Sequence, residues 1–408
     1  MRKLIGLVAV VALSVTGAPA DVVRPIEVGA VYPTRGGQGP GGLDEFRGVA
    51  LAAEWTNLHG GIGGRPVAVR LEPADAADHA PAAVQRLAAR GIQAILGSHG
   101  STMSRPAAET AESLGRVFWE TGAVGDLGMR AMEGERVFRF APTGDTLGRS
   151  AVRFAREVLL PKLGRDPDAL RYAVTYVDDA YGESVGRGAL AEIADAGLPL
   201  SGAFPYPPVG ADYAGVAARI KAADTDVLFV SAYLEDGIAL RREQVRQGLP
   251  LVASVGTSSS YCMHLFGQAL GEDAVGLFAS DKPDGEVLDP SSLDPAAAAA
   301  FEWARARFRA RYDHELTAGA LTGFAGALAL FTHVMPAARD LSADAIAEAA
   351  RSVSVPLGSL PNGAGLEFGS SVDNHRALSV IWEWVEPGRR EVVWPKAFAT
   401  HEVVALPI

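Results

Sequence analysis

The chain has 408 residues, 48% of them hydrophobic, and a formal net charge of −11. That length exceeds one ordinary domain, and the apolar content is enough for two cores. There is no Lys/Arg stripe and no basic run interleaved with aromatics, which excludes a nucleic-acid surface; acidity of this size serves solubility.

Met1-Arg2-Lys3 is a short basic region, residues 4–15 are apolar, and Ala18-Pro19-Ala20 supplies small residues before Asp21. This order predicts a signal peptide over 1–20, cleaved after Ala20, rather than an anchor, which needs about 20 apolar residues. No later run reads as long and apolar enough to span a bilayer. Losing Arg2 and Lys3 from 37 basic residues, against 48 acidic ones, moves the formal charge from −11 to −13. The single cysteine, Cys262, excludes an intramolecular disulfide. With no cysteine at the cleavage site there is no place for acylation, so a free, exported, soluble protein is expected.

Residues 26–31 read as the first strand, 32–42 as a Gly-rich rim loop, and 43–59 as a helix closed by His59-Gly60-Gly61. A strand at 67–71, a helix at 80–90 and a strand at 92–96 follow. Residues 97–126 then give the end of that strand, a Ser/Thr/Gly loop, a helix, another strand and a second polar loop. After a strand at 137–140, Ala141-Pro142-Thr143-Gly144 reads as a crossing between lobes. The second set comprises helices at 146–160, 181–196, 212–223 and 235–247 and strands at 172–177, 227–230, 251–255 and 275–279. Asp281-Lys282-Pro283 is a second candidate crossing. Helices at 295–312, 321–338 and 343–351 precede Pro356 and Pro361, and strands at 377–385 and 391–394 close the chain around the Pro387-Gly388 turn. The alternation predicts an α/β fold of two lobes, each with a parallel sheet flanked by helices and joined by several crossings.

Three enzyme signals are present and lack their context. Gly37-Gln38-Gly39-Pro40-Gly41-Gly42 contains G-x-G-x-x-G, but Tyr32 to Gly36 separate it from the strand and Pro40 removes an amide hydrogen that a pyrophosphate needs. Gly182-Glu183-Ser184-Val185-Gly186 matches G-x-S-x-G, and His59-Gly60-Gly61 resembles an oxyanion loop. The intervening Asp178 to Tyr181 place Ser184 inside a helix, as a solvated residue, rather than at a strained elbow. Asp75, Asp78 and His79 read as a capping cluster near a helix start, not as metal ligands. No cofactor and no metal are expected.

A ligand site reads better. Ser101, Thr102 and Ser104 open a helix after a strand, where hydroxyls and free amides hold a carboxylate. The loop Glu120-Thr121-Gly122-Ala123-Val124 lies beside them in a parallel sheet, and Gly122 lets a ligand approach the backbone. Tyr181 and Tyr233 follow two strands of the second lobe and are placed to close over a ligand.

These residues carry a resemblance. Val28-Gly29-Ala30, Gly60-Gly61-Ile62-Gly63-Gly64-Arg65, Ala94-Ile95-Leu96-Gly97-Ser98 with Ser101, Tyr176-Val177-Asp178-Asp179-Ala180-Tyr181-Gly182 and Ile220-Lys221-Ala222-Ala223-Asp224-Thr225-Asp226 are similar to the periplasmic substrate-binding proteins of branched-chain amino acid type ABC importers. The resemblance covers nearly all of the mature chain. It implies the type I periplasmic-binding fold with three hinge crossings, near Ala141, Asp281 and Pro356. The lobes would be 21–140 plus 282–355, and 141–281 plus 356–408. It also implies closure on a ligand and delivery to a membrane permease with its ATPase; a monomer is expected. Ser101 falls at the hydroxyl contact to the ligand carboxylate and Gly122 and Val124 at backbone contacts. Tyr181 and Tyr233 fall at second-lobe tyrosines, and Gln38 lies in a first loop that adds a contact. Thr257 and Ser258 lie on the loop where amino acid binders carry an acid for the ammonium. Here that loop, Gly256-Thr257-Ser258-Ser259-Ser260-Tyr261, has none. Glu120 or Glu235 would have to replace it, and the expected ligand is a small polar or carboxylated molecule other than a standard α-amino acid. A ligand-sensing module of the same fold is the alternative, and an exported serine hydrolase a more distant one.

Overall fold

The computed structural model of the protein describes residues 24–125, 136–257, 259–404 and 408. The leader expected at 1–20 lies outside them. Five parallel strands, β1 (Ile26–Val31), β2 (Val67–Leu71), β3 (Ala94–Gly97), β4 (Val117–Glu120) and β5 (Val137–Arg139), form one sheet in the order β2-β1-β3-β4-β5. Seven more form a second sheet. They are β6 (Tyr172–Val177), β7 (Leu200–Tyr206), β8 (Val227–Ser231), β9 (Ala253–Thr257), β10 (Phe278–Asp281), β11 (Val380–Glu386) and β12 (Arg389–Trp394), ordered β12-β11-β10-β9-β8-β6-β7. Only the pairs β10–β11 and β11–β12 run antiparallel. Every residue of β3, β4, β8 and β9 is buried. That is why these strands read as short continuous apolar runs, with helices on both faces.

The first sheet is completed by helices from late in the chain. The helix Gly39–Leu58 packs along Ala318–Ala329, and the two backbones nearly touch. A Cβ on Gly48 would stand 1.9 Å from the Ala320 carbonyl oxygen, and one on Gly323 would stand 2.2 Å from that of Glu45. The second helix continues through a wide turn, Leu330–Val334, to Ala337. By length and composition Ala318–Ala337 could cross a membrane, contrary to the expectation that no later run would qualify, but 78% of its apolar window is buried inside the fold. The second lobe repeats the device. The helices Gly144–Phe154 and Ala180–Asp195 meet through Gly148 and Gly188, whose Cβ atoms would lie 2.2 Å and 2.4 Å from the Val185 and Asp145 carbonyl oxygens. Glu192 clamps this pair, accepting from Arg153 Nε at 2.8 Å and Arg149 Nη1 at 3.0 Å.

The chain passes between the sheets three times: from β5 into Gly144–Phe154, from β10 towards Pro295–Tyr312, and from Ala343–Ser352 to β11. The third passage comes later than Pro356. The segment after Val355 stays on the first sheet, where Arg139 N donates to Val372 O at 2.7 Å and Phe368 packs edge-on against Trp119 and Phe138. Several elements depart from the sequence reading, among them the short helix His264–Leu270, which was not anticipated. β7 was not anticipated, because Gly202 and Pro205 interrupt its pattern; it is the edge strand, where proline is tolerated. The glycines expected in a rim loop instead begin the helix Gly39–Leu58, because a Cβ on Gly42 or Gly39 would run into Pro33 at 2.3 Å or Thr34 at 2.9 Å.

Gly48→Ala should therefore lower the free energy of unfolding by about 1–3 kcal/mol, the usual cost of forcing a methyl into a packed contact; urea denaturation measures it. A second prediction concerns acid. Hydrogen bonding from Arg153, opposed by burial and aided by Arg149, holds the Glu192 carboxyl below its ordinary value of 4.5. Its contribution is present above that pH and lost as pH falls through the lowered value. Glu192→Gln should cost about 1.5–3 kcal/mol at pH 7 and flatten the acid limb of a melting temperature against pH curve.

Candidate functional site

The carboxyl ends of β3 and β4 lie side by side, and Thr121 N donates to Gly97 O at 2.6 Å. Two fully buried carboxylates fix the loops that follow. Glu120 accepts from Ser98 N at 2.9 Å, Gly122 N at 2.9 Å and Ala123 N at 2.8 Å through Oε1. Its Oε2 accepts from Ser98 Oγ at 3.2 Å and from Ser104 Oγ. Glu45, on the facing helix, accepts from Thr121 Oγ1 at 2.5 Å, and His99 Nδ1 lies 2.8 Å from its Oε2. Tyr32 Oη, 2.6 Å from Thr121 Oγ1, extends the network; burial and then Glu45 push that phenol up.

Ser101 is 6% exposed, and its Oγ accepts from Gly125 N at 2.9 Å. Among the described residues nothing accepts its own hydrogen. Thr102 is exposed to solvent, and the helix is capped by Gly100 rather than by a hydroxyl. Gln38 precedes the helix Gly39–Leu58 and lies over Gly100, whose Cβ would stand 1.8 Å from Gln38 Oε1. Gly122 is glycine because Glu45 lies beneath it; a Cβ would stand 2.1 Å from Glu45 Oε2. The clearance expected there for a ligand is thus taken by the protein. Val124 is buried, and its carbonyl accepts from Gly144 N at 2.6 Å and Arg139 Nη1 at 3.1 Å. Glu120, expected to meet a ligand cation, gives its oxygens to its own loops.

On the second lobe, Asp179 caps the helix Ala180–Asp195 through Tyr181 N and Gly182 N, and its Oδ2 takes the Tyr233 hydroxyl at 2.8 Å. The Tyr181 and Tyr233 rings pack with centroids 5.3 Å apart. Tyr181 is 3% exposed, with its hydroxyl 3.1 Å from Thr257 Oγ1 and accepting from Ser259 N at 3.3 Å. Burial raises both phenols, so they remain neutral donors at pH 7. Glu235 is exposed in the first turn of Leu234–Gln247. Ser258 lies outside the described residues.

The lobes meet at these residues. A Cβ on Gly125 would stand 2.5 Å from the Ser101 Cβ and 2.8 Å from the Ala180 carbonyl oxygen of the other lobe. Lys282, in the second crossing, reaches over to donate to Gly122 O at 3.0 Å. Lys282 and its neighbour Asp281 were read from sequence only as a crossing, and Glu45 only as part of a helix. An open depression of about 670 Å³, lined by Glu286, Glu302, Arg305, Arg309 and Glu315 among others, lies on the helix Pro295–Tyr312 instead. Four of its charges pair with one another, Arg305 with Glu302 at 2.8 Å and Arg309 with Glu315 at 3.1 Å, and Glu286 pairs with Arg390 at 2.8 Å.

A periplasmic binding protein family model matches residues 25–380. The chain belongs to this family. It is 28% identical over 401 residues to Leu/Ile/Val-binding protein homolog 8 of Brucella suis biovar 1, covering 97% of this chain and 96% of that one. An ABC transporter substrate-binding protein of Desulfitobacterium hafniense in complex with Leu superimposes with a TM-score of 0.70 at 20% identity, covering 90% of this chain and 100% of that one. A solute-binding protein of an ABC transporter from Rhodopseudomonas palustris, in complex with 3,4-dihydroxybenzoic acid, gives 0.70 at 16% identity, covering 88% and 93%. The fold is that of the type I periplasmic binding proteins.

In this binding protein the glycines of the hydrolase-like motif serve helix packing. A Cβ on Gly182 would stand 1.9 Å from Val177 O, and one on Gly186 would stand 2.7 Å from the Tyr176 ring. Ser184, expected to be solvated, is 8% exposed and faces Gly144, whose Cβ would lie 2.5 Å from its Oγ. His59 closes its helix, with Nδ1 2.8 Å from Trp55 O. Asp75 Oδ1 accepts from Thr34 N at 2.7 Å and Arg35 N at 3.0 Å, tying down the first loop.

Replacing Glu120 by Gln puts an amide donor among protein donors. Glu120→Gln should lower unfolding free energy by about 2–3 kcal/mol, in line with losing charge-assisted bonds to buried groups. An unchanged urea midpoint would show that the two loops do not depend on it.

Proposed function

We propose that this protein is the extracytoplasmic solute-binding component of an ABC importer. It captures a small polar or carboxylated molecule between its lobes, closes by hinge motion and delivers the solute to a membrane permease driven by an ATPase. The leader-like N-terminus supports an exported location in the periplasm. The reading rests on one observation above all: Ser101, at the start of a first-lobe helix, and Ala180, at the start of a second-lobe helix, converge on Gly125.

A helix start offers free amide hydrogens to an anion, and Ser101 adds a hydroxyl hydrogen. Tyr181 and Tyr233 contribute apolar ring faces to the opposite wall. Leucine and 3,4-dihydroxybenzoic acid, the ligands of the two structural neighbours, share a carboxylate and little else, which fits a fold that holds the acid group and varies the rest. The jaws would be 21–140 with 282–355 and 141–281 with the tail, apart from the segment after Val355 that stays on the first sheet.

A thermal-shift screen of amino acids, amides and small carboxylic acids tests the reading, because a solute that binds only the native state raises its apparent stability. Ser101→Ala should weaken the best solute by about 1–3 kcal/mol if its hydroxyl meets a buried carboxylate. An unchanged dissociation constant by calorimetry would remove Ser101 from the site.

A further inference from the structure

Asp281 ends β10, one strand beyond the serine-rich loop that lacks an acid. The pairing of Ser280 with Thr257 sets it at the same sheet edge as that loop. It is 2% exposed, and among the described residues its Oδ1 has no hydrogen-bond partner. The buried Cys262 thiol hydrogen-bonds to this carboxylate; burial and then Asp281 push the thiol up. No ion pair to Asp281 forms among the described residues. The nearby cations are engaged elsewhere: Lys282 Nζ with Gly122 O at 3.0 Å, and Arg390 with Asp284 at 2.6 Å and Glu286 at 2.8 Å.

A buried carboxylate oxygen without a donor is costly, and proteins keep such groups where something else supplies the partner. Two observations say that the partner comes from the cleft. Asp281 lies close enough to Tyr181 for its charge to act on that phenol. Its chain neighbour Lys282, in the second crossing, donates to Gly122 O of the first lobe at 3.0 Å. On the first lobe Gln38 Oε1, against Gly100, is also buried without a partner among the described residues. One jaw therefore offers a buried carboxylate with one oxygen unpartnered and the other an unpartnered amide oxygen, while the Ser101 hydroxyl hydrogen and the remaining Lys282 protons suit an anion.

We propose that Asp281 pairs with a protonated amine of the bound solute, so that the protein selects a zwitterion whose carboxylate faces Ser101 and whose ammonium faces Asp281. This assignment rests on the solute-binding reading above. It supplies from β10 the acid missing from the loop after β9, and it returns amino acids to the candidate solutes.

The test compares matched pairs: standard amino acids and their 2-hydroxy acid analogues, in which a hydroxyl replaces the ammonium, with short amides as further probes. Binding to the full-length mature protein is read by thermal shift and calorimetry, for wild type and for Asp281→Asn. Wild type should bind an amino member at least tenfold more tightly than its hydroxy analogue. Asp281→Asn should lose at least tenfold towards the amino member and little towards the hydroxy analogue. Without solute the variant should melt at the same temperature or higher, because it removes an unpartnered buried charge; a purely structural carboxylate would give the opposite sign. Should Asn prevent folding, Asp281→Ser serves, and the wild-type comparison needs no variant. Equal amino-acid affinity in wild type and variant overturns the assignment. So does a wild-type preference for hydroxy acids or amides, which leaves the solute-binding reading intact. Binding of no solute in the panel removes that reading, and this assignment with it.

Discussion

Two carboxylates buried side by side at the edge of the first sheet hold the site's first half in shape. Glu45 and Glu120 are each fully enclosed, and together they take up backbone amides and hydroxyls from both loops. Charge-assisted bonds of this kind are among the stronger ones available to a loop, and the low-dielectric surroundings sharpen them. The helix that carries Glu45 must press close for this to work. The glycine contact between Gly39–Leu58 and Ala318–Ala329 allows that approach, and the absence of a side chain on Gly122 leaves room for the acid. Packing, electrostatics and loop shape are one constraint here.

That constraint divides the acids by task. Glu120 looks, in sequence, like a loop carboxylate waiting for a ligand, but five protein donors occupy it. Asp281 looks like part of a connector, yet it is a buried acid with an oxygen left over among the described residues. The difference comes from donor supply. Glu120 sits where successive amides of a turn point inward, whereas Asp281 sits at the last residue of a strand whose neighbours are a thiol and a lysine that reaches elsewhere.

Much of the architecture was legible because the hydrophobic code was clean. β1 and β2 and the helix Pro295–Tyr312 follow directly from apolar runs and their spacing. β7 escaped because an edge strand buries little and carries Gly202 and Pro205. The helix start at Gly39 escaped because glycines that serve close packing read like glycines that serve a turn. Glu45 escaped for a different reason. One acid on an amphipathic helix is ordinary until the partners on another element are known, and His99 and Thr121 lie more than fifty residues away. Ser101 and Tyr181 could be singled out as a pair because a parallel sheet puts all strand ends at one edge. The meeting of Ser101 and Ala180, the residue before Tyr181, at Gly125 required the two lobes to be placed.

The threefold passage of the chain between its sheets has a consequence for how the molecule is made. The helix Gly39–Leu58 finds its glycine-lined partner only at Ala318–Ala329, and the edge of the first sheet is finished by residues near Val372. The second sheet in turn waits for β11 and β12. Neither half can close its core from a contiguous stretch of chain, so an emerging N-terminal segment remains an unfinished surface until almost the whole chain is present. Such long-range closure makes for slow, all-together assembly. It also binds the fate of one jaw to the other: a break in either glycine crossing is felt by both.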